Sequence, residues 1–274
     1  MASRSQEAVH QAVEATRGSQ SLVETITAME RNARQYQALG DPALFELCTR
    51  GWDALEADLG EVVRRTMAVK IAIIEADPRV AFSLWLGDLT DRSTAPEFDL
   101  AQATLSLCEK PWHPVRGNHD LLGGLYEQHF GPLSYVFRHE GWVFIMLDSN
   151  GGTQTLIDEA RMAWLREQIA TIDPAAPIVL CCHHPLLLGG VVPVAGAPEI
   201  LALFAGHNLR AVLAGHLHLN QEHTVNGVLH TVTNCLATNR GNLDHDPRRG
   251  YRLFHCADGQ ITTQFVPVRE IAAE

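Results

Sequence analysis

The 274-residue sequence is 46% apolar, enough for a buried core in one large domain or two small ones, and its 32 acidic against 21 basic side chains give a formal charge of -11. Such a surface repels nucleic acid and anionic membranes, and no Lys/Arg cluster inverts it locally, so neither is an expected partner. The opening Met1-Ala2-Ser3-Arg4-Ser5-Gln6 lacks the apolar core of a signal peptide, no apolar run reaches membrane-spanning length, and the six cysteines show no Cys-x-x-Cys spacing; the expectation is a soluble cytoplasmic protein with packed thiols.

Residues 1 to about 76 read as helical. Ser21 and Glu24 form a capping box ahead of Leu22, Ile26 and Met29, and Asp41-Pro42 opens a segment with Leu44, Cys48, Trp52 and Leu55 on one face. A third helix from about Glu61 stops before Asp77-Pro78. Residues 1–60 are thus an expected helical extension ahead of a domain spanning 61–274, and their apolar stripes need a partner surface, either that domain or a second copy of the chain in a homo-oligomer.

After Pro78 strands and helices alternate. Ala81 to Leu86 is a short run apolar enough for a sheet covered on both faces, followed by a helix from about Phe98 to Glu109. Ser134–His139 and Trp142–Leu147 read as a hairpin across Glu140-Gly141, and Ile157, Ala160, Trp164, Leu165, Ile169 and Ile172 mark a helix ending at Asp173-Pro174. Strand Ile178–Cys182, helix Pro198–Ala205 and strand Leu209–Ala214 continue the pattern. Two hairpins close it, Gln221–Val225 with Val228–Val232 across Asn226-Gly227, and Tyr251–Cys256 with Ile261–Val266 across Asp258-Gly259. The expected class is α/β, a four-layer αββα sandwich of two mixed sheets with ligands gathered at one rim.

Metal-capable residues stand just past three of these strand-like runs, at Gly87-Asp88, His183-His184-Pro185 and Gly215-His216-Leu217-His218, and a fourth stretch, Gly117-Asn118-His119-Asp120, follows a Pro-Val run ending at Arg116. A strand cannot aim three successive side chains at one point, so Asn118, His119 and Asp120 require a turn, which Gly117 supplies. An oxygen and nitrogen donor mixture without thiolate suits Zn, Mn or Fe. Adjacent Cys181 and Cys182 end a buried-looking strand and read as packing, and His184 stays open between facing away and donating to a substrate.

The four ordered stretches resemble the calcineurin-like metallophosphoesterases, most closely bacterial cyclic-nucleotide and glycerophosphodiester phosphodiesterases, over residues from about 61 to 267. That resemblance implies two metal ions. Asp88 matches the bridging carboxylate, Asn118, His183 and His216 the other ligands of one ion, and His218 a ligand of the second. His119 matches the histidine that assists the leaving group, with Asp120 orienting it. The implied activity is hydrolysis of a small phosphodiester or phosphomonoester, the metal pair clamping phosphate and supplying hydroxide at neutral pH.

The sequence departs from the pattern where its first motif, Asp-x-His, should lie upstream of Asp88. With Asp88 the one matched carboxylate, two divalent ions would leave a site of about +3, so one tight ion and a weak or absent second are expected. Asp148, His10 and the Asp244-His245-Asp246 run are the rescue candidates. The depleted set also leaves open a metal enzyme of redox or lyase chemistry, or a degenerate binding protein; retention of His119 and Asp120 argues against the last.

Overall fold

The computed structural model describes residues 67–268 except 69, 152–156, 190–191 and 237–240. These residues belong to one compact unit that begins at Met67. The helical extension expected over 1–60 lies outside them.

A helix over residues 70–76 (α1) buries Ile71 and Ile74 and leads to β1 (Ser83–Trp85). Then come α2 (Ala95–Leu105), β2 (Trp112–Pro114), a 3₁₀ turn at Asn118–Asp120, α3 (Leu125–Phe130), β3 (Tyr135–His139), β4 (Trp142–Leu147) and α4 (Glu159–Ala170). The remainder is β5 (Ile178–Cys182), a short β6–β7 hairpin (Leu187–Leu188, Val192–Pro193), α5 (Ala197–Ala202), β8 (Leu209–Ala214), β9 (Gln221–Val225), β10 (Val228–Val232), β11 (Arg249–Ala257) and β12 (Gln260–Val268). Each strand expected from an apolar run between turn residues is present.

The main sheet has the order β3-β4-β5-β8-β10-β9, parallel from β4 through β10 and antiparallel at both edges. Alternation divides its buried centre. Val143, Ile145 and Leu147 of β4, with Ile178, Leu180 and Cys182 of β5, pack against Leu165 and Ile169 of α4 and Ile200 of α5. The intervening Trp142, Phe144, Met146, Val179 and Cys181 face Leu84 of β1, Phe254 and Cys256 of β11 and Ile261 of β12. Both faces are therefore covered, which is why these strands read as unbroken apolar runs. Opposite the helices, the strands form two separate pairs among the described residues, parallel β1–β2 and the antiparallel β11–β12 ribbon. The α/β class is as expected.

The helices start where chemistry allows. Asp158 caps α4 by accepting the Arg161 N–H (2.9 Å), and Glu97 accepts the Thr94 N–H (3.0 Å) at the start of α2, with Pro96 in its first turn. Three elements escaped the sequence reading: β2, a three-residue strand ending in proline; α3, less than two turns long; and the two-residue strands of β6–β7.

Just past β4, Asp148 is fully buried between two guanidinium groups. Arg116 Nη2 lies 2.6 Å and Arg161 Nη2 2.7 Å from its Oδ2. Burial alone would raise the Asp148 carboxyl, but the hydrogen bonds and charge of Arg116, with Asn150 and Arg161, hold it below the usual carboxylate range. Truncating one partner of such a triad strands buried charge, so Asp148→Ala is expected to cost about 3–5 kcal/mol. Because the folded pKa is depressed, the carboxylate's contribution is present above its unfolded pKa of about 3.9 and fades as pH falls through the lower folded value. Urea unfolding of both proteins at pH 7 and pH 3 should show the gap narrowing in acid.

Candidate metal centre

The principal candidate ligands emerge at the C-terminal ends of parallel strands: Asp88 after β1, Asn118 after β2, His183 after β5 and His216 after β8. Open α/β sheets place ligands at this rim. Glycines let the loops close on one another. A Cβ on Gly117 would sit 2.1 Å from Asp88 Oδ1, and one on Gly87, at φ +92°, would sit 2.5 Å from His183 Nδ1. Asp88, His216 and His218 are themselves left-handed, at φ 56°, 63° and 49°, a conformation that non-glycine residues hold mainly where surrounding structure and function demand it.

His183 is the hub. It is 1% exposed, and its Nδ1–H donates to the Leu86 carbonyl oxygen at 2.6 Å, so the lone pair is on Nε2. Around Nε2 stand Asn118 Oδ1 at 3.0 Å, His216 Nδ1 at 3.2 Å and Asp88 Oδ1 at 3.3 Å. A proton on His216 Nδ1 would satisfy one of these approaches; the two oxygens still meet Nε2 lone pair to lone pair. A cation at their centre removes that conflict, and donors bonded to one ion at about 2.1 Å lie about 3.0–3.4 Å from one another. The two-oxygen, two-nitrogen set therefore fits a transition-metal ion.

Electrostatics keep the donors in ligating form. Burial works to raise the Asp88 carboxyl, whereas the charge of His183 whenever its ring is protonated and the hydrogen bond from the His119 backbone N–H (3.0 Å) lower it on balance. Burial first, and then His183, lowers His216. His184 is pushed down to about 4 by burial and by its His183 and His216 neighbours, and so is neutral near pH 7. Of the two orientations open to His184, the ring takes the one toward the site: ring nitrogens of His183, His184 and His216 lie within 4.8 Å of one another, and the His184 and His216 ring centroids are 4.4 Å apart.

Asp120 does not orient His119. It is 1% exposed, and its oxygens accept the N–H groups of Thr90 (2.8 Å), Gly117 (2.9 Å) and Leu89 (3.2 Å), tying the β1 and β2 loops together. The His119 ring is held instead by the Asp91 carbonyl oxygen, 2.6 Å from Nδ1. A carbonyl only accepts, so Nδ1 carries a proton and Nε2 is the ring nitrogen left for other partners. The expected pairing of His119 with its sequence neighbour fails because consecutive side chains in the 3₁₀ turn diverge, whereas a residue on the facing loop reaches the ring.

His218 stands apart from the three-histidine group, its Nδ1–H donating to the Gly241 carbonyl oxygen at 3.2 Å. Among the rescue candidates, Asp148 is committed to Arg116 and Arg161 and is not a spare ligand. Asp246 pairs with Arg248, and Asp244 accepts the Asp246 N–H (3.0 Å), which makes that run a turn; Leu243 N–H still reaches the His218 carbonyl oxygen at 3.3 Å, so the loop borders the His218 segment. His10 lies outside the described residues. Sequence reasoning gave no role to Asp91 or to Ser149, whose hydroxyl meets His184.

The fold and this donor set define an α/β protein with a candidate transition-metal centre, and the comparisons with known proteins give its class. The calcineurin-like phosphoesterase family matches residues 39–220. The chain belongs to that family of metal-dependent phosphoesterases. It is 27% identical over 249 residues to a probable cyclic nucleotide phosphodiesterase of Rhodococcus erythropolis, covering 79% of this chain and 78% of that protein. A cAMP/cGMP dual specificity phosphodiesterase of Mycobacterium tuberculosis is 26% identical over 174 residues (56% of this chain, 54% of that one). A probable glycerophosphodiester phosphodiesterase of Arcobacter nitrofigilis is 29% identical over 125 residues (42% and 45%). Among solved structures, GAP50, the anchor in the inner membrane complex of Plasmodium, superposes with a TM-score of 0.54 at 16% identity over 74% of this chain and 80% of its own, a likeness of fold alone. Among the described residues no helix is long and apolar enough to cross a membrane.

Proposed function

We propose that the chain hydrolyses a small phosphodiester or phosphomonoester at the Asp88, Asn118, His183 and His216 centre, with His119 as the general acid. The observation that carries the reading is the convergence of lone pairs on His183 Nε2 beside a histidine tied to the same carboxylate, since the His119 N–H donates to Asp88 Oδ1. A bound Mn, Fe or Zn ion would supply charge neutralisation and water activation. The chain's own groups do the rest. Asp88, Asn118, His183 and His216 would hold the ion, and the Asp91 carbonyl fixes the His119 ring so that Nε2 is the proton donor to the departing oxygen.

One tightly held ion per chain is the proposed resting stoichiometry, with a second exchangeable. His218 offers a nitrogen beyond the main set, while Asp148, the strongest buried carboxylate in reserve, is bound by arginines. The names of the relatives make cyclic nucleotides and glycerophosphodiesters the first substrates to try. A panel of these with phosphomonoesters, incubated with Mn-, Zn- or Fe-loaded protein, should yield turnover of at least one ester that stops on chelation. Silence across the whole panel would move the non-hydrolytic reading of the depleted second ligand set ahead.

A further inference from the structure

Two adjacent histidines face one centre with different partners on the same ring atom. His183 Nδ1 meets the Leu86 carbonyl, which has no proton to give, so that nitrogen holds the hydrogen and Nε2 is bare. His184 Nδ1 meets the Ser149 hydroxyl at 2.9 Å. That hydroxyl oxygen already accepts the His184 backbone N–H at 3.0 Å, and Ser149 is 3% exposed. Its own proton needs an acceptor, and among the described residues the partner it meets is His184 Nδ1. Nδ1 then receives a hydrogen bond, and the ring hydrogen belongs on Nε2.

The backbone reinforces this placement. The Cys182 thiol donates to the His184 carbonyl oxygen (3.1 Å), so the residue is pinned at its N–H, its carbonyl and one ring nitrogen. A ligating imidazole nitrogen must be bare, and the bare nitrogen of His184 is the one turned to Ser149. Few groups at the centre are placed to donate to a non-bridging oxygen: Asp88 and Asn118 turn oxygens toward His183, His183 presents a lone pair, His119 is assigned to the departing oxygen, and Arg116, one residue before Gly117, is committed to Asp148. A phosphoryl oxygen entering this site needs N–H groups.

We infer that Ser149 holds His184 as its Nε2–H tautomer, and that His184 binds a non-bridging oxygen of the phosphoryl group rather than the metal. The inference rests on the phosphoester reading of the site for its ligand. Ser149 is a positioning residue, and His184 is a catalytic residue in the sense that it touches the substrate.

The test uses the full chain loaded with zinc, which is diamagnetic, and inorganic phosphate as probe. Long-range ¹H–¹⁵N spectra of wild type should place the His184 proton on Nε2, with or without turnover; a proton on Nδ1 overturns the assignment. By elemental analysis His184→Ala should keep wild-type zinc, and by calorimetry it should bind phosphate about ten- to a hundredfold more weakly, the range for a hydrogen bond to a charged group. His184→Gln, which carries an N–H near the same position, should recover part of that loss. Ser149→Ala should keep zinc, lose the single tautomer and weaken phosphate by less than His184→Ala. Loss of zinc from His184→Ala would make the residue a ligand, and unchanged phosphate affinity would remove it from the substrate; either overturns the inference. The two readings fail separately. A wild type that binds phosphate through His184 yet turns over no ester sinks the catalytic proposal alone, whereas an active enzyme whose phosphate affinity ignores His184→Ala sinks this inference alone.

Discussion

His183→Ala is expected to lower transition-metal affinity by at least ~100-fold. Losing an outer partner of a metal site typically costs about 10- to 100-fold, and His183 does more than an outer partner: its Nε2 is the atom on which Asp88, Asn118 and His216 converge, and its Nδ1–H anchors the cluster to the Leu86 carbonyl at the end of β1. The imidazole is 1% exposed, so its removal also leaves a cavity, and circular dichroism must accompany the metal analysis to show that the sheet survives. Equilibrium dialysis against a chelator followed by elemental analysis reads the affinity. Wild-type metal retention in a folded variant would contradict the ligand assignment.

The second large effect is expected at His119. A positioned imidazole contributes about a hundred- to ten-thousandfold, so His119→Ala should lose that much in kcat on an ester with an alkoxide leaving group. On a nitrophenyl ester, whose leaving group needs little protonation, the loss should be far smaller. Metal content should not change, because what His119 gives to Asp88 is its backbone N–H, and the contact from the Ser93 hydroxyl goes to its backbone carbonyl; all of these survive the substitution. Equal slowing of good and poor leaving groups would remove the acid role and leave His119 as a structural residue of the loop.

These expectations draw unequally on sequence and structure. The central sheet was legible because β4, β5 and β8 are buried on both faces and therefore appear as apolar runs, each stopped by Asp, His or Gly where the chain leaves the sheet. Stops of this kind also carry three of the candidate ligands, Asp88, His183 and His216, whereas Asn118 follows β2, which the sequence did not reveal, and joined them through the motif it shares with the family. What escaped was pairing between loops. The Asp91 carbonyl that holds His119 is a backbone group without residue-specific sequence signature, and Asp120, adjacent in sequence, was the tempting substitute. Asp148 is similar. A carboxylate after a strand is the usual place for a ligand, and only the fold brings Arg116 and Arg161, 32 and 13 residues away, to the same oxygen. Elements such as β2 and α3 are too short to develop a period and owe their form to neighbours, β2 to its pairing with β1 and α3 to the Phe130 contacts with Trp112 and Phe98.

The most direct measurement is a titration of metal-free, full-length chain with Mn, following bound metal and hydrolysis of a phosphodiester in the same samples. Hydrolysis should rise with the first equivalent, which stays bound through dialysis, while any second equivalent washes out. His183→Ala should stay flat throughout. A wild type whose rate is indifferent to metal removal, or one that binds its first ion tightly and turns over no phosphoester at any loading, would contradict the account.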